Sequence, residues 1–210
     1  MTRVAAFALA CSTVLLGGCI SVSVGNGDSV LQVQYRLSDL APVPPPAGRT
    51  VPRALVVVAM PSVGIGDTFA MAYSPAPQQR ALYQYASWAD RPSSRIAQLL
   101  VRRMEARGLF ASVSELGRGL GGDLSLHLTI DELVHDTVSA RGRLQVRAEL
   151  IDRTTRTMIA RRRFEAAAPV NQENAQGAVD ALSRALTTVL DELVPWIEAT
   201  ADKLPARVAR

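Results

Sequence analysis

Apolar and polar positions alternate over residues 30–37, with Leu31, Val33, Tyr35 and Leu37 on one face and Gln32, Gln34 and Arg36 on the other. Strict alternation predicts a half-buried strand. Residues 41–52 (APVPPPAGRTVP) break the pattern, because proline continues neither a helix nor a central strand. They read as a stiff connector lying over the domain. Residues 54–60 (ALVVVAM) are apolar without interruption up to Pro61, which predicts a strand buried on both faces. Residues 69–73 and 82–85, joined through SPAPQQ, predict a hairpin. Over residues 93–107, Ile96, Leu99, Leu100 and Met104 fall at helical spacing. Asp90 or Ser93 is placed to cap the start and Gly108 the end. A short strand over 109–114 leads into the glycine-rich residues 117–122.

Three alternating segments follow. Leu124, Leu126, Leu128 and Ile130 form the first stripe and Leu144, Val146, Ala148 and Leu150 the second. Met158, Ala160, Phe164 and Ala166 form the third. One apolar and one polar face describe an antiparallel meander packed on one side. Residues 174–193 carry the strongest helical stripe: Val179, Leu182, Leu186, Val189, Leu190 and Leu193. Pro195 is expected to end or kink that helix. The unit from Ala54 through the first helix to Leu109 reads as a right-handed crossover between parallel strands. The fold class is α/β (α+β-like): a single domain with a mixed, mostly antiparallel sheet of about five strands and two main helices. It spans residues 30–203, and residues 204–210 form a frayed tail.

The N-terminus alters this picture. Arg3 is followed by the apolar run 4–16 and by Leu16-Gly17-Gly18-Cys19. A positive start, a short apolar core and small residues before the cut describe a secretory signal. The Leu-Gly-Gly-Cys sequence resembles the lipobox of bacterial lipoproteins. On that reading residues 1–18 are a signal peptide and Cys19 is the lipid attachment point. Residues 19–29, small and polar with two glycines, are a flexible tether. The apolar run is too short to span a bilayer, which takes about 20 residues. Three acyl chains on Cys19 would hold the protein permanently at a membrane, since even two give stable anchoring. Ile20 rather than Asp after the cysteine points to the periplasmic face of the outer membrane.

Composition narrows the chemistry. Of 210 residues, 48% are hydrophobic and 20% charged, which describes a globular chain. The formal charge of +4 falls to +3 with the loss of Arg3, and no long basic run accompanies it, so nucleic acid is not an expected partner. Cys11 leaves with the signal peptide, which rules out a disulfide scaffold or a cysteine zinc site. His127 and His135, eight residues apart on one face by strand parity, are too distant to share a metal and read as surface histidines. Adjacent Asp131 and Glu132 should point to opposite faces and so cannot flank a substrate. His135-Asp136 lacks a nucleophile. In 117–122 a strand rather than a helix follows the glycines, so the loop is not read as a phosphate cradle. Arg102 and Arg103 read as a solvated face in preference to an anion patch. No catalytic residue, cofactor or metal is implied, and the protein is not expected to be an enzyme.

Half of the ten aromatics lie in residues 69–88: Phe69, Tyr73, Tyr83, Tyr85 and Trp88. Such a hairpin either packs its rings on the core or presents them at an interface. Tyr83, Tyr85 and Trp88 are the candidate partner-binding residues.

Several segments carry a family resemblance. They are the lipobox, Tyr35-Arg36-Leu37, the apolar strand 56–61, and Tyr85-Ala86-Ser87-Trp88-Ala89-Asp90-Arg91-Pro92 before the amphipathic helix. Val146-Arg147-Ala148-Glu149-Leu150-Ile151-Asp152 and Arg162-Arg163-Phe164-Glu165 complete the set. Together they resemble the ABC-type transport auxiliary lipoprotein family. The resemblance implies a domain like the N-terminal domain of the translocation protein TolB. It also implies a non-enzymatic outer-membrane lipoprotein that docks a mammalian-cell-entry (MCE) domain protein of an ABC lipid transporter. Homo-oligomeric rings occur in the family. The competing expectation is a lipid carrier or envelope-assembly lipoprotein with its own hydrophobic site, which calls for an enclosed apolar cavity.

Overall fold

The long apolar strand becomes β2 (Val51–Met60), and it pairs in parallel with β5 (Phe110–Glu115) on one side and with the first half of β6 (Leu124–Asp136) on the other. In this computed structural model, which describes residues 31–61, 67–117 and 121–204, the helix between β2 and β5 is α1 (Pro92–Arg107). The expected parallel crossover is therefore present. β7 (Arg141–Asp152) and β8 (Thr157–Pro169) continue from β6 as an antiparallel meander. β1 (Val33–Tyr35), β3 (Ala70–Ser74) and β4 (Ala81–Trp88) join the same sheet. β3 pairs with the far end of β6 at His135 and Asp136, and β1 pairs in parallel with β4. Among the described residues the sheet thus has eight strands, more than the five or so expected, because the first strand and the hairpin are recruited to it. One edge of β6 serves two neighbours, β2 near its start and β3 at its end.

α1 lies over β2 and β5, and α2 (Ala175–Ala201) lies over β7 and β8; the helices touch each other. Leu55 and Val57 face Leu124 and Leu126 across the ladder, and these join Ile96, Leu100 and Met104 of α1 and Leu182, Leu186 and Leu190 of α2 in one core. The stripes read from the sequence for α1, α2, β6 and β7 are buried there; of the first and last strand stripes only Leu37 and Phe164 are buried, while Leu31, Val33 and Met158 are exposed.

Helix ends follow local chemistry. Gly108 adopts the left-handed conformation (φ 61°) and closes α1, as its position predicts. The start differs from expectation: neither Asp90 nor Ser93 caps it. Buried Asp67, from just before β3, accepts from the Ser93 backbone N–H (2.9 Å) and the Ser93 hydroxyl (2.8 Å). A carboxylate at a helix N-terminus meets unpaired N–H groups and the positive end of the dipole. Asp67→Ala is expected to lower stability by about 1–2 kcal/mol, read by urea denaturation. Asn174 caps α2 through Gly177 N–H at 2.9 Å.

Pro195 does not end α2. It sits on the exposed side, where the Asp191 carbonyl it frees can meet water, while Leu193, Val194, Ile197 and Ala201 carry the buried stripe onward. Burial of that stripe offsets a proline cost of about 3 kcal/mol. The proline-rich connector does lie over the domain: Arg107 donates to the Pro45 carbonyl (2.6 Å), and Ala47 N–H to the Arg107 carbonyl (2.7 Å).

Arg103, expected with Arg102 on a solvated face, is buried instead, and Arg95 is buried as well. Arg95 Nε donates to the Leu37 carbonyl at 2.9 Å. Arg103 grips Asp39 with two nitrogens and Asp191 with a third. A guanidinium inside is tolerated where fixed acceptors take the place of water on its N–H groups, as Asp39 and Asp191 do for Arg103. Arg102 lies on the exposed side of α1, beside an open cleft with Glu105 and Glu115.

Candidate functional site

The aromatic hairpin owes its shape to an irregular register. Ala70 opposes Ser87 and Ala72 opposes Leu82, so Met71 alone spans the length of residues 83–86. The surplus in β4 must bow away from its partner. Tyr85 is 51% exposed, and Phe69 and Leu82 are exposed to a similar degree. The Arg91 guanidinium stacks on the Phe69 ring at 5.3 Å. At the turn, Ser74 Oγ lies 2.9 Å from the carbonyls of both Ala76 and Gln79 and accepts from Arg80 Nη1 at 3.1 Å.

The three candidate partner-binding residues therefore separate. Tyr85 is on the surface. Tyr83 is half-buried, its ring 5.1 Å from Tyr73 and its hydroxyl 2.6 Å from His135 Nδ1. Trp88 is only 4% exposed and belongs to the core with Leu37 and Ala86, so it is not a contact surface in this fold. Its parity explains this. Trp88 is paired with Tyr35 and lies two residues from Ala86, on the helix-covered face. Cys19 and the tether lie outside the described residues, as do residues 118–120 of the glycine-rich loop and 205–210 of the tail.

His135 is the residue that strand parity misplaced. Ile130 opposes Val146 and Glu132 opposes Gln145, so Asp131 is an extra residue, a bulge. The bulge reverses the alternation. Leu124, Leu126, Leu128 and Ile130 face the helices before it, and Leu133 and His135 do so after it. His135 is 1% exposed, opposite Gly142, while His127 stays on the other face. At Gly142 a β-carbon would meet Ala181 Cβ and Leu182 N of α2 at 2.9 Å, so α2 closes over this end of the sheet. The signal was present in the sequence: apolar spacing changes from two to three between Ile130 and Leu133.

The same bulge corrects the reading of Asp131 and Glu132, which share the outer face rather than opposing faces. Arg147 (3.0 Å) and Arg163 (3.5 Å) hold Asp131, while Arg80 and Arg143 (both 3.1 Å) hold Glu132. Four arginines neutralise the pair, which is a solvated charge ladder of modest energetic value.

Burial pushes the Tyr83 hydroxyl up to about 12, with Tyr73 adding to the shift. Burial lowers His135 below its ordinary value, more than Glu173 and Asp136 raise it. The pair is thus neutral at pH 7, and His135 Nε2 is buried without a hydrogen-bond partner among the described residues. A group whose folded pKa lies below its unfolded value of about 6.5 binds protons more tightly when unfolded. Its contribution to stability is whole above pH 6.5 and is lost as pH falls through the folded pKa. The melting temperature is expected to drop between pH 7.5 and 5.5. His135→Gln should flatten the profile across that window.

Two open clefts lie in the hairpin and α2 regions. One of about 320 Å³ is lined by Arg80, Glu132, Asp136 and Arg143, and another of about 370 Å³ by Tyr35, Arg36, Asp180 and Arg184. Both mix charges of the two signs. No helix among the described residues is long and apolar enough to cross a membrane.

The described residues form a mixed α/β domain, with two helices on a mixed sheet and an aromatic bow exposed in β4. A Xanthomonas campestris protein assigned to the family model DUF330 shares this fold, with 24% identity, a TM-score of 0.73, and coverage of 81% of this chain and 97% of that one. A second solved structure, of an uncharacterised protein, aligns at 13% identity with a TM-score of 0.59, over 79% of this chain and 99% of its own. A lipoprotein from Neisseria meningitidis aligns over 70% of this chain and 99% of its own, at 12% identity and a TM-score of only 0.35. No curated protein matches the chain. The family model described as ABC-type transport auxiliary lipoprotein component matches residues 35–194, and the chain belongs to that family.

Proposed function

We propose that this protein is a non-enzymatic docking component of an ABC/MCE-type lipid transport system. Cys19 carries the lipid that ties it to the periplasmic face of the outer membrane, and residues 19–29 let the domain reach its partner. The partner is an MCE-domain protein that crosses the periplasm. Family membership supports the transport role, and the Leu-Gly-Gly-Cys sequence supports the anchor.

The observation that carries the docking surface is the bowed β4. It exposes Tyr85 beside a hairpin pinned from behind by the Tyr83–His135 hydrogen bond. A rigid aromatic anchor loses little entropy on binding, and such residues dominate interface energies. Tyr85→Ala is expected to weaken capture of the purified MCE partner about tenfold or more, with stability changed by less than about 0.5 kcal/mol. Unchanged capture would remove Tyr85 from the interface. The carrier alternative calls for an enclosed apolar cavity, whereas docking rests on the exposed Tyr85.

A further inference from the structure

The hairpin of β3 and β4 is fastened unevenly. At one end Met71, Ala86 and Trp88 are buried in the core, and β4 pairs with β1. At the turn end, β3 meets β6 at only two positions, Tyr73 opposite His135 and Ser74 opposite Asp136. There the Ser74 carbonyl accepts from Thr137 N–H (3.1 Å) and from the Thr137 hydroxyl (2.9 Å). The irregular register, in which Met71 spans residues 83–86, lies between the two ends. A strand with a surplus bends at that point. The turn-side half, residues 73–83, therefore has a hinge at the bow and a buried tie at His135.

That tie depends on the charge of the imidazole. The Tyr83 hydroxyl lies 2.6 Å from His135 Nδ1, and the two rings are within 5° of parallel. A neutral ring carries one N–H, whereas an imidazolium carries an N–H on both nitrogens. The Nδ1–H of the cation can donate to the Tyr83 oxygen. Its Nε2–H is buried and meets no acceptor among the described residues.

The surroundings do not compensate. Tyr73 and Tyr83 bring only hydroxyls. Asp136, next along β6, accepts from the Val138 and Ser139 N–H groups and the Ser139 hydroxyl, and Arg143 stands 3.8 Å from it. Glu173, before α2, is exposed to water. Gly142 of β7 and Ala181 and Leu182 of α2, packed over this end of the sheet, carry no charge. Arg141 and Arg143, on either side of Gly142, bond to the Ala167 carbonyl (2.8 Å) and to Glu132 (3.1 Å). A charge buried without partners is costly, and local opening that admits water costs less than unfolding the core.

We propose that His135 is an acid-sensitive latch: its protonation releases residues 73–83 from β6 about the bow in β4, while the core and both helices stay folded. The bow carries Tyr85, so release also withdraws the docking surface. That consequence rests on the docking reading; the latch does not.

Hydrogen–deuterium exchange of the full-length chain in detergent, at pH 7.5 and 5.5 and divided by the intrinsic rate at each pH, tests the latch without a partner. The released ring binds its proton more tightly than the latched one, so opening grows as pH falls. For one proton taken up at about pH 6.5 in the released state and held off in the latched state, exchange of residues 73–83 is expected to rise about tenfold across this interval. α1 and α2 should keep their protection, and they make the wild type its own reference. His135→Gln should abolish the rise, and His127→Gln should retain it. No rise in the wild type, a rise that persists in His135→Gln, or an equal rise across α1 and α2 would overturn the proposal. Capture of the purified MCE partner should weaken over the same interval. A hairpin that opens while capture stays constant would uphold the latch and remove Tyr85 from the interface.

Discussion

Arg103→Met is expected to destabilise the domain by about 3–5 kcal/mol, more than any other charge removal, as a large drop in the urea midpoint. Arg103 joins three parts of the chain: α1, the segment after β1 through Asp39, and α2 through Asp191. Asp39 is itself half-buried in a network, accepting from Ala41 N–H (3.1 Å) and from the Thr187 hydroxyl (3.3 Å). Methionine matches the length of the arginine stem but leaves the Asp39 carboxylate inside without a cation. Asp191→Ala should cost under about 1 kcal/mol, because Asp191 is 56% exposed and water can replace it. The contrast between the two variants is the measurement. Equal losses would show that the energy lies in helix packing and not in the Asp39 pair.

The network has a pH signature distinct from that of His135. Burial raises Asp39, but the hydrogen bonds from Arg103 and Ala41 and the Arg103 charge outweigh it and hold the carboxyl below its usual value. A depressed carboxyl adds stability that is complete above the unfolded value of about 3.9 and disappears as pH falls through the folded value. Acid loss from Asp39 therefore falls below pH 4, well separated from the His135 window below 6.5.

Trp88→Ala is expected to cost about 3–5 kcal/mol, the range for truncating a fully buried large aromatic. Trp88 packs with Leu37 and Ala86 in the core; its backbone N–H, which alanine keeps, donates to the Phe69 carbonyl at 2.7 Å. The variant would lose partner binding along with its fold, so it cannot report on the docking surface. Tyr85→Ala, three residues away, should leave the melting transition in place. If Trp88→Ala melted like wild type, the ring would not be the core element that its burial indicates.

These residues show how much of the molecule the chain order reveals. The buried stripes of α1, α2, β6 and β7 were legible because each is a direct periodicity of 3.6 or 2. The parallel β2–β5 pair was legible because an apolar run, a helix and a strand in that order leave few other connections. Gly108 was legible because a left-handed helix end favours glycine. The site was legible only as a cluster of aromatics. Which rings face out depends on the surplus in β4 against Met71, and that surplus arises from pairing partners far apart in the chain.

The same limit explains the misplaced charges. Arg95 and Arg103 follow helical spacing onto sites beside the core, but only tertiary contacts show that Leu37 and Asp39 arrive to receive them. His135 was assigned by unbroken alternation, and one extra residue at Asp131 moved it inside. The sequence by itself determined the order of the elements and the apolar faces of the helices, β6 and β7, because these depend on local period. Only the tertiary structure decided register, bulges, the recruitment of β1 and the hairpin to the sheet and the separation of Tyr85 from Trp88, because each depends on which distant backbone a strand pairs with.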